Sequence, residues 1–197
     1  MKKYLVPIGM VGLVATGIFI RHQILAPARA AARDLIAING LTVGRTTEAE
    51  LLGRSAFQTA DLKCIEGVCI YSTVRENKFL NVFHLAPRTL LSTTVMVRDG
   101  IVIQVYVFMT RKGLPSLTVA QTMKLPIGCT ASPCVKHPLP SDRWQRDISI
   151  LFNNESELRN RMLQMLEVAC LSRIRGCSTY SELMPMAKEL NLEATAR

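Results

Sequence analysis

Residues 90–109, LLSTTVMVRDGIVIQVYVFM, constrain this chain more than any other stretch. Two runs rich in β-branched side chains flank Asp99-Gly100, a dipeptide that tolerates the φ > 0 geometry of a two-residue type I′ turn. The pattern predicts the central hairpin of an antiparallel sheet. With Asp99-Gly100 as the turn, Val97 falls opposite Val102, Val95 opposite Gln104 and Thr93 opposite Tyr106. Met96, Ile103, Thr94 and Val105 then line the other face. Both faces read as fairly apolar, which predicts cover on each: N-terminal helices on one side and C-terminal helices on the other.

The surrounding pattern is α+β. Residues 61–65 and 68–75 read as a first hairpin about Glu66-Gly67. Residues 79–85 alternate as a strand stopped by Pro87, residues 116–123 supply a last, edge strand, and residues 148–152 a short one. Thr47 and Glu50 form a capping box that opens a short amphipathic helix ending near Gly53. Residues 34–39 read as another short helix, closed by Gly40. In the C-terminal third, Asn154 and Glu157 start a helix whose Leu158, Met162, Met165, Leu166 and Ala169 share a face, with Gly176 as the stop. Thr179 and Glu182 open another, over about residues 180–190. Its methionines Met184 and Met186, with Met162 and Met165, read as core or as an adaptable apolar surface. The expected division is 1–22 anchor or signal, 23–34 linker or helical extension, 35–124 helices plus sheet, 125–146 a Pro- and Cys-containing loop, and 147–197 a strand and helices of the same domain.

Met1-Lys2-Lys3 precedes an uncharged, largely apolar run over residues 4–20. A basic start before such a run is an export signal. As a helix it spans ~26 Å at ~1.5 Å per residue, slightly short of a ~30 Å hydrocarbon core. Small residues around 26–32 would allow cleavage, but Arg21 and His22 stand where a signal peptide has a neutral region. An uncleaved single-pass anchor with the bulk of the chain outside the cytoplasm is expected, with secretion after cleavage as the alternative.

The six cysteines agree with export. They fall as Cys64 and Cys69, Cys129 and Cys134, and Cys170 and Cys177, each with a near neighbour. About 15 pairings are possible in principle. A turn at Glu66-Gly67 sets Cys64 across from Cys69 in a non-hydrogen-bonded pair, near the short end of disulfide geometry. Zinc and free thiols compete, but gaps of four, four and six residues suit zinc poorly.

A net charge of +9 raises nucleic acid as a partner, yet the 24 Lys and Arg are scattered along the chain without aromatic interleaving. A solvated basic surface, or one facing anionic lipid, fits better. No His-Glu-x-x-His, Gly-x-Ser-x-Gly, phosphate-binding Gly-rich loop or calcium loop occurs. His84, His137 and Trp144 are the residues that a binding surface near the 125–146 loop would use. His84 in a strand also reads as an ordinary hydrogen-bonded sheet residue, and the loop as a clamped connector.

Leu41-Thr-Val-Gly44-Arg-Thr46-Thr-Glu-Ala-Glu-Leu51-Leu52-Gly53 resembles the opening of the SmpA/BamE-like small envelope proteins, where Gly-x-Thr precedes a short helix. Val95-Met-Val-Arg-Asp99-Gly100-Ile-Val-Ile-Gln-Val105 is similar to the later part of that module. The resemblance covers about residues 35–110, and the chain departs from it in having no lipoprotein cysteine. It implies a two-layer α+β fold, two helices on an antiparallel sheet, that scaffolds protein contacts in the envelope without catalysis. The expected function is therefore a membrane-anchored, non-catalytic extracytoplasmic interaction module with a protein partner and no cofactor, metal or nucleic acid. The alternative is a secreted or periplasmic hydrolase with its site at the 125–146 loop.

Overall fold

The computed structural model describes residues 5–112, 116–125, 128–129, 132–136, 148–153, 156–177 and 179–185, with the side chains of the first helix from Leu13 onward. The elements run α1 (Leu5–Asn39), α2 (Glu48–Leu52), β1 (Asp61–Ile65), β2 (Val68–Glu76), α3 (Lys78–Val82), β3 (Thr89–Arg98), β4 (Ile101–Arg111), β5 (Leu117–Thr122), β6 (Cys134–Lys136), β7 (Ile148–Asn153), α4 (Ser156–Gln164), a 3-10 turn (Val168–Leu171) and α5 (Tyr180–Leu183).

The hairpin of β3 and β4 sits at the centre of a seven-stranded sheet ordered β1-β2-β3-β4-β5-β7-β6. Asp99 and Gly100 both have positive φ, as do Glu66 and Gly67 in the β1–β2 turn, so the two tight turns form where the sequence set them. The register, however, departs from a simple ladder. Val97 pairs with Val102, but Met96 then pairs with Gln104 and Val95 with Val105, so Ile103 is the extra residue of a β-bulge. The cause lies in the side chains. An unbroken ladder would set Gln104 beside Val95 in the core and turn Val105 outward. The bulge instead buries Val102, Val105, Val107 and Met109 with Leu91, Val95 and Val97, each at most 2% exposed. Burying a valine is worth ~1.5–3 kcal/mol, whereas an unpartnered buried amide is costly.

Along the central hairpin, the helices among the described residues cover that face. Ala31, Leu35 and Ile38 of α1, spaced as one helical stripe, pack over β2 and β3 with α4 and the 3-10 turn. Along β2, β3 and β4 the opposite face, with Ile70, Thr94, Met96, Tyr106 and Phe108, is half-exposed, while Ala120, Thr122 and Leu151 at the β5–β7 end of that face are buried. The expectation of C-terminal helices on that face is corrected, because α4 and the 3-10 turn pack on the same side as α1.

The sheet is mixed. β7 runs parallel to β5, so β5 lies inside the sheet and not at its edge. A parallel pair cannot be joined by a tight turn. The chain between Thr122 and Ile148 is therefore a crossover, and it contributes β6 antiparallel to β7 on the way.

Three other expectations change. Residues 23–34 are helical, and α1 continues through Pro27 to Asn39 without a separate helix at 34–39. Residues 79–85 form the single turn α3 and its cap where a strand was expected. Short alternating runs do not separate strand from helix. Here closure of the loop decides: the Asn77 side chain donates to Pro87 O at 2.9 Å and accepts from Thr89 N at 2.9 Å, pinching residues 77–89 into a compact turn that buries Leu80. α4 ends at Gln164, before Gly176, and the chain continues as the 3-10 turn. Of the C-terminal expectations, Asn154, Met186 and residues 186–190 lie outside the described residues.

The capping box forms as expected. Glu50 N donates to Thr47 Oγ1 at 3.2 Å, and Thr47 N to Glu50 Oε2 at 2.8 Å. Residues 44–48 also lie along the start of β4, with Val102 N donating to Thr46 O at 2.9 Å and Glu48 N to Gly100 O at 2.8 Å. The N-terminal helices are thereby tied to the central hairpin.

Candidate functional site

The first candidate lies where α1 crosses β2. Asp34 is buried on the sheet side of α1, at 1% exposure. Arg75 grips both of its oxygens, Nε to Oδ2 at 2.7 Å and Nη2 to Oδ1 at 3.1 Å. Thr73 Oγ1 donates to Oδ2 at 2.9 Å. That donation uses the one Thr73 proton, so Thr93, its cross-strand neighbour at 2.7 Å, must be the donor between the two hydroxyls. The result is an ordered chain, Thr93 to Thr73 to Asp34, closed by a bidentate guanidinium. Beside it lies a depression of about 270 Å³ lined by Arg33, Ser55, Thr59 and the partly exposed Arg75. With three donors on its carboxylate, Asp34 is committed to holding Arg75 in place. What this wall offers a visitor is hydrogen-bond donation, from two guanidinium groups and two hydroxyls.

The second candidate is a cleft of about 460 Å³ on the half-exposed sheet face. Ile103, Met123 and Leu151 form an apolar lining, with Arg98 and Lys124 among its walls. Tyr106 also lines it, and burial pushes its phenol pKa up while a hydrogen bond with Gln104 works the other way. The phenol stays neutral and keeps its proton for donation. Ile103, the unpaired residue of the bulge, sits here beside Gln104, which the bulge turns to this face in place of Val105. A second tyrosine environment belongs to the scaffold: Tyr71 donates to Glu48 Oε1, and burial followed by that carboxylate pushes its pKa up to about 12.

All three cysteine pairs close as disulfides, Cys64–Cys69, Cys129–Cys134 and Cys170–Cys177, with Cα–Cα distances of 4.1, 5.6 and 5.2 Å. No cysteine is free, which removes the zinc and thiol alternatives. The last pair is fully buried in the main core. Among the described residues, no group of three His, Cys, Asp or Glu could hold a metal ion.

His84 has a different role from the one its expected strand would give it. It follows α3 in the left-handed conformation, with φ 56°. Its N–H reaches Asn81 O at 3.0 Å, and Leu85 N reaches Leu80 O at 2.8 Å. Those two bonds are the Schellman arrangement, with His84 at the position glycine usually takes. It is an exposed helix cap and lines neither depression. His137 and Trp144 lie outside the described residues.

The residues that sequence reasoning passed over are Asp34, Thr73, Arg75 and Arg159. Among the described residues, Arg159 is the largest fully buried side chain, at 1% exposure, and has no carboxylate partner. Its Nη2 donates to Leu41 O at 2.9 Å and Ile38 O at 3.3 Å, its Nη1 to Gln121 Oε1, and Nε and Nη2 to Asn160 Oδ1. The carbonyls at the end of α1 carry the negative pole of a long helix, which favours a cation there. Burial lowers the Arg159 pKa to about 10, so it remains charged at neutral pH. One signal was present in the sequence: Arg159 stands three and four residues before Met162 and Leu163, on the side of α4 that an apolar stripe occupies.

No protein-family model, no curated protein and no solved structure matches this chain.

Proposed function

We propose that this chain is a non-catalytic interaction module of the cell envelope, held outside the cytoplasm and tethered to a membrane by the N-terminal part of α1. One observation carries the reading. α1 is a single helix whose C-terminal half is built into the core, while at the other end Leu13, Val14, Ile18 and Phe19 are 76, 61, 65 and 59% exposed. Apolar side chains this exposed, with none of the described residues over them, favour a lipid or protein surround. The sequence extends the same apolar character back to residue 4. Among the described residues, no helix is long and apolar enough to cross a membrane, and the tether therefore rests on this continuity.

The compartment follows from chemistry. Three disulfides and no free thiol belong to an oxidising environment. Arg21 and His22, exposed directly after the apolar end of the helix, suit the headgroup region of an anionic leaflet. The partner chemistry these surfaces favour is a protein segment rich in carbonyl or carboxylate groups, met by the donor-lined wall at Arg33 and Arg75. The resemblance of residues 35–110 to the SmpA/BamE-like envelope proteins points the same way.

Fractionation of cells expressing the full chain tests the proposal. The expected result is a membrane pellet that keeps the protein through an alkaline carbonate wash, with maleimide labelling absent until a reductant is added. Recovery in the soluble cytoplasmic fraction with reactive thiols would overturn it.

A further inference from the structure

β1 is an edge strand with an unusual construction. All five of its side chains are exposed, so no core packing holds it in the sheet. It is held by its ladder to β2 and by the Cys64–Cys69 disulfide across that ladder. Natural edges are normally blunted, covered or kept short, because their free N–H and C=O groups template pairing with another strand. Here a covalent staple keeps such an edge in order.

The outward-facing groups can be assigned. Ile65 and Val68 flank the two-residue turn and form its hydrogen-bonded pair, so Cys64 and Cys69 are a non-hydrogen-bonded pair. The 4.1 Å Cα–Cα distance between the two cysteines agrees with that assignment. Along β1 the main-chain groups of Asp61, Lys63 and Ile65 therefore point to β2, and those of Leu62 and Cys64 point outward.

We infer that β1 pairs with β1 of a second copy of this chain, antiparallel about a two-fold axis through Leu62, joining two sheets into one. In that register Leu62 exchanges two hydrogen bonds with its own counterpart, and each Cys64 N–H reaches the carbonyl of Ala60 across the axis. The Ala60 N–H is already given to Phe57 O at 3.2 Å, so four intermolecular bonds form. Asp61 falls opposite Lys63 twice, as close non-hydrogen-bonded pairs, and the two Leu62 side chains, each 57% exposed when free, meet on one face. Charge selects this register over its neighbour. An axis through Lys63 would set lysine against lysine at closest approach. The interface is isologous, as a closed dimer requires, and it is independent of whether α1 lies in lipid.

The test uses the full chain in density-matched detergent, with sedimentation velocity as the readout. The native chain is expected to dimerise. Asp61→Lys and Lys63→Asp each replace two attractive pairs by two like-charged ones, and each should weaken the dimer about tenfold or more. Both residues are exposed, so folding should be unaffected, which circular dichroism checks. Mixing the two single variants restores both pairings, so a heterodimer should form where neither homodimer does. The double variant Asp61→Lys/Lys63→Asp should recover native association. A native chain that stays monomeric overturns the inference. So does a dimer that both single variants leave unchanged, since its contacts then lie elsewhere, on α1 for example. Failure of the mixture to associate would refute the Leu62-centred register.

Discussion

Replacing Arg159 by methionine tests whether this side chain locks α4 to the end of α1. Methionine keeps most of the length and buries readily, so little cavity is opened. What is lost is donation. Ile38 O retains a partner, because Leu41 N also donates to it at 2.9 Å. Asn160 is half-buried and can turn towards water. Leu41 O and the Gln121 oxygen are stranded, and the Gln121 amide nitrogen already lacks a partner. Each stranded buried acceptor costs ~1–3 kcal/mol. Part of that loss is offset, since burial of the guanidinium charge, evident in a pKa lowered to about 10, is relieved. A net loss of ~2 kcal/mol is expected, or a Tm about 4–8 °C lower for a chain of this size. Urea unfolding of the oxidised protein, followed by circular dichroism with an unchanged m-value, measures it. The companion variant Gln121→Leu leaves Nη1 of the buried cation without its acceptor and should cost a similar amount. In the double variant both stranded partners are gone, so its loss should fall short of the sum by ~1–2 kcal/mol. Additive losses would show that the two side chains do not interact, and a stabilised Arg159→Met would refute the locking role outright.

Asp34→Asn should cost ~2–3 kcal/mol by urea unfolding, because it removes a buried carboxylate from a bidentate guanidinium that retains some access to water; a loss under ~0.5 kcal/mol would contradict the network. His84→Gly should stabilise the chain by ~0.5–1 kcal/mol and His84→Val should destabilise it, since φ is 56° there. Equal Tm values for the two would remove His84 from its capping role. Glu50 carries a pH dependence. Its carboxyl is held below the ordinary 4.5 by the main-chain and then the side-chain hydrogen bond of Thr47. A depressed folded pKa means that its contribution is complete above 4.5 and is lost as pH falls through the folded value. Thermal melts between about pH 6 and pH 3 should therefore fall less steeply for Glu50→Gln than for the native chain. Parallel curves would mean that the capping carboxylate does not titrate as described.

Local chemistry was legible without coordinates. Asp99-Gly100 and Glu66-Gly67 announce turns because few dipeptides accept two positive φ values, and Thr47 with Glu50 announces a cap because both bonds lie within three residues. The three disulfides follow from spacing for the same reason, each partner being at most seven residues away. The period-two pattern of residues 79–85 misled because five or six residues fit a strand and a helical turn equally, and Asn77 chose between them by bonding to residues ten and twelve positions on.

What only the tertiary structure decided involves distant partners. The bulge at Ile103 is set by which of Gln104 and Val105 can enter a core roofed by α1, and nothing within the hairpin fixes that. The parallel pairing of β7 depends on the crossover that carries β6, and the meaning of Asp34, Arg75 and Arg159 depends on contacts up to 121 residues apart. Main-chain preferences act over a few residues and are written in the sequence one position at a time. The pairing of buried charge and the choice of which face is covered are properties of surfaces that exist only once the chain has closed on itself.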